Sequence, residues 1–198
     1  MMNKLTSVVC LGSALVLSAC GGPEQEDGAE LARQSAALTT ASSQGCDYSA
    51  STVQITTSPP QYNIVITRTG GTSCTLPTGA SYIVQTVPLD PPGPVSLAGS
   101  SEGLAVGFVM RNGWSGSSAY VMAVRAVDPT ALSTTRSADI YCDYRTGNIS
   151  TGSLSINGTT LASSGTKACK INNQSGTYWY ASFVNFFTST TPPNITVI

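Results

Sequence analysis

From Gly103 to Met110 the chain reads GLAVGFVM, in which Leu104, Val106, Phe108 and Met110 alternate with Ala105, Gly107 and Val109. That period of two predicts a β-strand with one buried face. AYVMAVRAV, at 119–127, repeats the pattern with Tyr120, Met122, Val124 and Ala126 on one side and Arg125 on the other. In SLSINGTTLA, at 153–162, Asn157 and Gly158 suit a type I′ hairpin turn, whose central residues need positive φ; the register this turn predicts sets Leu154 opposite Leu161. Further strands are predicted over 52–57, 62–69, 81–87, 136–146, 177–187 and 194–198, separated by Ser, Gly and Pro clusters such as PLDPPGP (88–94) and TPPN (191–194). About nine short strands with frequent turns predict an all-β fold, an antiparallel β-sandwich of immunoglobulin-like or jelly-roll-like type. A β-trefoil is the alternative, because the domain would divide into three units of about fifty residues.

Composition supports the strand reading. Residues 46–198 hold two lysines, one glutamate and seven leucines, while Ser, Thr, Gly, Val and Asn dominate; such a mixture favours strands and turns over helices. The same span carries seven basic and six acidic side chains, well below the usual quarter or so of charged residues. A near-neutral domain without a basic cluster offers no electrostatic basis for binding nucleic acid. It also lacks a polybasic face to lie flat on an anionic membrane.

The amino terminus is a different kind of segment. Residues 1–19 combine Lys4 with an uncharged apolar run that is too short for a stable membrane-spanning helix, which needs about twenty residues, and end on small side chains in the manner of a secretory signal. Leu17, Ser18, Ala19 and Cys20 resemble the lipobox of bacterial lipoproteins. The resemblance covers the first twenty residues alone, and no family is recognised for the domain at 46–198. It implies cleavage before Cys20, a diacylglycerol on the Cys20 thiol and an acylated new amino terminus; such chains anchor stably in a bilayer where one alone would not. Gly21, where inner-membrane lipoproteins of this class carry aspartate, implies an outer-membrane address, facing either the periplasm or the cell exterior. Residues 20–45, with Glu24, Glu26, Asp27 and Glu30 against Arg33, are predicted to form the lipidated cysteine and a flexible acidic tether.

Cleavage discards Cys10 and lipid occupies Cys20. Cys46, Cys74, Cys142 and Cys169 remain, an even number in an oxidising compartment, which predicts two disulfides. Four cysteines permit three connectivities. An internal similarity selects one: CDYSAS begins at Cys46 and CDYRTG at Cys142, and each is followed by a second cysteine, a glycine, a tyrosine and a double proline. Two half-repeats starting at Cys46 and Cys142 would each close their own bridge, Cys46–Cys74 and Cys142–Cys169.

The chain offers little for catalysis. Gly99, Ser100, Ser101, Glu102 and Gly103 match GxSxG, but that device needs a histidine and a strand-to-helix turn, and the chain has no histidine. The six carboxylates of the domain are scattered beside turns, with Asp47 and Asp143 placed to accept backbone hydrogen bonds, and they suggest neither a paired-acid site nor the dense oxygen ligands of a calcium loop. No zinc ligand set and no cofactor is implied. A Ser–Lys dyad through Lys167 or Lys170 has no supporting motif. Aromatic side chains are the remaining candidates for ligand binding: Trp114 in the loop RNGWSGSS, and Tyr178, Trp179 and Tyr180 in TYWYASFVNFF. On this strand Tyr178, Tyr180, Val184 and Phe186 fall on one face and Trp179, Phe183 and Phe187 on the other, and a central strand covered on both sides is the favoured reading. The chain is therefore expected to be an outer-membrane-anchored lipoprotein with a non-enzymatic binding or structural domain for a protein or glycan partner. A histidine-independent secreted-type enzyme or toxin is the alternative.

Overall fold

The computed structural model describes residues 39–198; the proposed leader, Cys20 and most of the tether lie outside them. Twelve strands follow in chain order: β1 (Thr39–Ser43), β2 (Cys46–Thr57), β3 (Pro60–Gly71), β4 (Ser81–Pro88), β5 (Ser96–Gly99), β6 (Leu104–Arg111), β7 (Tyr120–Asp128), β8 (Ser133–Ile140), β9 (Ser153–Asn157), β10 (Thr160–Thr166), β11 (Tyr178–Val184) and β12 (Asn194–Val197). They make three antiparallel sheets, ordered β1-β2-β3-β4, β5-β6-β7-β8 and β12-β11-β10-β9. Each sheet is a meander of consecutive strands, so the sandwich is reached without the interleaved connections of immunoglobulin or jelly-roll folds.

The sheet β5–β8 is the middle layer. Leu104, Val106 and Phe108 of β6 and Val121 and Ala123 of β7 share a core with Tyr48, Ala50, Ile64, Ile66 and Val84 of the first sheet. Ala105 and Val109 of β6 and Met122, Val124 and Ala126 of β7 share a second core with Leu161, Trp179, Ala181, Phe183 and Phe186. Both faces of β6 and β7 are therefore covered, which corrects the one-sided reading of GLAVGFVM. The face taken for the solvent side is small and apolar, not polar, and such runs mark strands covered on both sides. Gly107 shows why smallness matters: a Cβ built there would lie 2.6 Å from Met122 Cε and 2.7 Å from Leu154 Cγ. Arg125, buried in this layer, pairs with Asp139 and donates from Nε to the Gln85 side chain at 2.9 Å.

The opposite correction applies to TYWYASFV. β11 lies in an outer layer, with Trp179, Ala181 and Phe183 buried and Tyr178, Tyr180 and Val184 exposed. Alternation stops at Asn185, whose φ of 51° turns the chain and buries Phe186 instead of leaving it beside the tyrosines.

Four smaller differences from the sequence reading follow from backbone pairing. β1 hydrogen-bonds along β2 from Thr39↔Ala50 to Ser43↔Cys46, so the domain begins inside the segment read as tether; short Thr/Ser and SLAG edge strands carry no periodic apolar signal. The β9–β10 loop consists of Gly158 and Thr159, with Asn157↔Thr160 and Leu154↔Ser163 paired. Only Gly158 of the two takes positive φ, 59°, the pattern of a type II′ turn, and the two-residue register change keeps every side chain on its predicted face. The strand predicted over 136–146 stops at Ile140, and Asp143–Arg145 form a single 3₁₀ turn. CDYSAS and CDYRTG thus differ in conformation: Tyr48 is wholly buried, donating its hydroxyl to the Pro129 carbonyl at 2.6 Å, whereas Tyr144 has φ of 54° and is 89% exposed.

The pairing derived from those segments nonetheless holds. Cys46–Cys74 and Cys142–Cys169 are both bonded, with Cα separations of 5.3 and 5.8 Å.

Candidate binding surface

Backbone and side-chain bonds define one end of the three-layer stack. β1 runs toward the Ser43–Cys46 turn, so Thr39 faces the other end, where the Leu89 amide donates to the Pro60 carbonyl at 2.8 Å. Asp90 there receives Arg111, the last residue of β6. The Ile149 amide reaches the Tyr120 carbonyl at 3.2 Å, the Ser150 amide reaches that of Thr166 at 2.8 Å, and Tyr178 and Ile198 exchange backbone bonds. The end of the first sheet, the end of the middle sheet and the start of β11 are thereby joined.

Trp114 stands on this end, 63% exposed, in the loop 112–119 between β6 and β7. Apart from Trp114 the loop has only Ala119 as an apolar side chain, and Arg111 holds it in shape. Its guanidinium donates from Nε to Asp90 at 2.8 Å and from Nη1 to the carbonyls of Ser118, at 3.0 Å, and Gly116, while lying 4.7 Å over the Tyr120 ring. The Tyr120 hydroxyl also donates to Asp90. The hydroxyl bond and then the Arg111 bond hold the Asp90 carboxyl below the usual carboxylate range; the same bond to Asp90, followed by burial, raises the Tyr120 hydroxyl. Three side chains, from one loop and the ends of two strands, thus position one tryptophan.

Tyr178 and Tyr180 stand on the outer face of the β9–β12 sheet. Register places Thr166 beside Tyr178, Ser164 beside Tyr180 and Ser153 beside Ser164, with Thr196 on the other flank of Tyr180. Ser153, Ser164, Thr166, Tyr178, Tyr180 and Ile198 border a shallow hollow of about 440 Å³. Its wall offers hydroxyls and rings and no ionised side chain. Trp179 is not part of the accessible wall: it is 2% exposed and its Nε1–H is buried without a partner. Strand alternation points it into the core, which corrects its place among the candidate ligand residues.

Sequence reasoning missed Tyr144 and Arg145, and weighed Lys170 only for a Ser–Lys dyad. All three are exposed, held by the Cys142–Cys169 bridge and by the Asp143 carboxylate, which accepts the backbone N–H groups of Asn172 and Asn173 at 2.9 and 2.6 Å. The turn residues in RTGN, at 145–148, mark the connection that carries Tyr144 and Arg145, although the strand itself ends earlier, at Ile140.

Several of the other residues weighed for catalysis, or beside them, have structural partners. Gly99–Gly103 forms the turn between β5 and β6, where Ser100 Oγ accepts the Glu102 amide at 3.1 Å. Lys167 is buried and donates its ammonium to the carbonyls of Cys169, Gly176 and Gln174 at 2.6, 2.9 and 3.4 Å. Asp47 accepts the Ser42 hydroxyl, and Asp128 is held below its ordinary range by bonds from Thr130 and then from the Ala131 amide. Among the described residues, no three His, Cys, Asp or Glu side chains come together as a metal site would require. Compared with known proteins, the chain matches no family model, no curated protein and no solved structure.

Proposed function

We infer that this chain is a lipid-anchored, non-enzymatic binding module of the bacterial outer membrane, and that the outer face of β9–β12 takes a neutral glycan. The observation that carries the ligand class is the pairing of Tyr178 and Tyr180 with Ser153, Ser164, Thr166 and Thr196 on one uncharged wall. A neutral sugar presents C–H faces that pack on flat rings and hydroxyls that exchange bonds with other hydroxyls. A nucleic acid or an acidic polysaccharide would call for cations, and this wall has none. The lipobox residues Leu17 to Cys20 support the anchor, and the two disulfides agree with an oxidising compartment.

A glycan array probed with the full chain and with Tyr180→Ala tests the ligand class. The expected result is a neutral glycan whose signal falls at least tenfold in the variant, since stacking on an aromatic ring and its hydrogen bond are together worth about 1.5 kcal/mol or more. An array without any ligand sensitive to Tyr178→Ala or Tyr180→Ala removes the glycan reading. Mass spectrometry of the amino-terminal peptide from envelope fractions tests the anchor separately. An unmodified peptide running through Ala19 and Cys20 removes it.

A further inference from the structure

Of the eight large apolar or aromatic side chains exposed among the described residues, six (Ile55, Trp114, Tyr144, Tyr178, Tyr180 and Ile198) lie toward the end of the stack that Thr39 faces; Ile83 and Val184 lie away from it. Charge is sorted in the same way. Arg68 donates to the Gly70 and Gly71 carbonyls, Arg111 and Arg125 pair with Asp90 and Asp139, Arg136 donates to the Phe186 and Thr191 carbonyls, and Lys167 is enclosed by three carbonyls. Arg145, lying 5.0 Å over the Tyr141 ring, and Lys170 make no polar side-chain bond within the described residues. Both border the Tyr144 turn, on the same end.

Resting on the anchor reading above, we propose that this end of the domain, led by Trp114 and Tyr144 with Arg145 and Lys170 beside them, docks on the phospholipid surface in which the Cys20 lipid is seated. Tryptophan and tyrosine favour the headgroup level of a bilayer because an apolar ring and a polar edge are both satisfied there. Unpaired Arg and Lys at the same level complement phosphate groups and can lay their stems along the lipid. Two cations are too few to hold a soluble protein on a membrane, but a tethered one needs far less. Eighteen residues separate Cys20 from Thr39, a reach of at most ~60 Å fully extended and roughly 20–25 Å as a flexible chain. At that distance the surface is present at high effective concentration, so a weak contact becomes a populated one. Thr39 pairs with Ala50, seven residues or about 23 Å short of Thr57 at this end, a gap within the extended reach of the tether. The Tyr178 and Tyr180 wall then stands beside the lipid surface, with its hollow open sideways.

Two tryptophans of opposite exposure make the test direct. The full lipidated chain is reconstituted into vesicles of phosphatidylethanolamine and phosphatidylglycerol, with or without brominated acyl chains, and its fluorescence is compared with that of Trp114→Phe. The emission lost in the variant belongs to Trp114. It is expected to shift to the blue on reconstitution, to be quenched by brominated lipid and to be shielded from aqueous acrylamide. The Trp179 emission that remains should ignore both quenchers. A Tyr144→Ser, Arg145→Gln, Lys170→Gln variant, altered only at exposed positions, should lose most of the Trp114 shift while still floating with the vesicles. If the chain floats through its lipid while Trp114 stays open to acrylamide and unaffected by bromine, the docking proposal fails and the anchor stands. A chain recovered without lipid on Cys20 removes both.

Discussion

Substitution of Gly107 by valine separates the three-layer structure from the two-layer one that the sequence pattern suggests. Were the Gly107 side of β6 open to solvent, valine would be favoured there, since it suits strands and removes the glycine flexibility of the unfolded chain, a gain of about 0.4–1 kcal/mol. In the structure, the first carbon added meets Met122 Cε at 2.6 Å and Leu154 Cγ at 2.7 Å. Met122 can yield by rotating its terminal methyl, but Leu154 is packed against the second core and valine brings two methyl groups more. Overpacking of this kind costs about 1–3 kcal/mol, so after the unfolded-state gain a net loss of about 1–2 kcal/mol remains. With a urea slope of about 2 kcal/mol per molar, the unfolding midpoint should fall by roughly 0.5–1 M at unchanged slope. Gly116→Ala is the control, because nothing lies within 4 Å of the added carbon; its stability should stay within about 0.5 kcal/mol of the parent. A Gly107→Val midpoint equal to or above that of the parent would refute the covering of β6 by the β9–β12 sheet.

Three further outcomes test other parts of the structure. Removing the Cys142–Cys169 bridge, whose cysteines are 27 positions apart, as a double alanine variant should lower unfolding stability by about 3–4 kcal/mol, measured in urea without reductant; an unchanged midpoint would mean the bridge constrains nothing. Phe183→Ala should cost about 3–5 kcal/mol, and Val184→Ala next to it less than about 0.5. Equal losses would contradict the assignment of inner and outer faces on β11. Asp90 has a folded-state carboxyl lowered by the Tyr120 and Arg111 bonds, so its contribution to stability is present above the unfolded-state value of about pH 4 and is lost as pH falls through the folded-state value. The difference in Tm between the parent and Asp90→Asn should accordingly shrink from pH 7 to pH 3; a constant difference would show that the carboxylate charge is not what the network uses.

Most strands were legible because alternation is a local property, and ten of the twelve overlap segments that the pattern marks, with their ends displaced by up to six residues. What alternation does not report is the neighbour on each face. In GLAVGFVM the lesser residues are Ala, Gly and Val, which suit an exposed face poorly and a close second layer well; the missing information is the approach of Leu154, some fifty positions away. In TYWYASFV the ambiguity runs the other way, since Tyr178 and Tyr180 are large enough to resemble core residues and polar enough to stand in water. β1 and β5 gave no signal because edge strands are fixed by backbone pairing, to which TTASS and SLAG contribute amide groups and little apolar surface.

The candidate surface was legible only in fragments, and the physical reason bears on how it works. Trp114, Tyr144 and Tyr178 come from three connections or strand starts widely spaced in the chain, and each is fastened separately: by Arg111 to Asp90, by the Cys142–Cys169 bridge, and by the backbone exchange between Tyr178 and Ile198. No periodicity or motif links them, because the connections that carry them need only return to the same end of their sheets, which meander topology enforces at every second turn. Turns on the opposite end are equally free to vary and hold none of these rings. Chance exposure would scatter aromatic side chains over both ends, and their concentration on the end facing Thr39, together with the two unbonded cations, is the asymmetry expected when one end meets a surface and the other meets water.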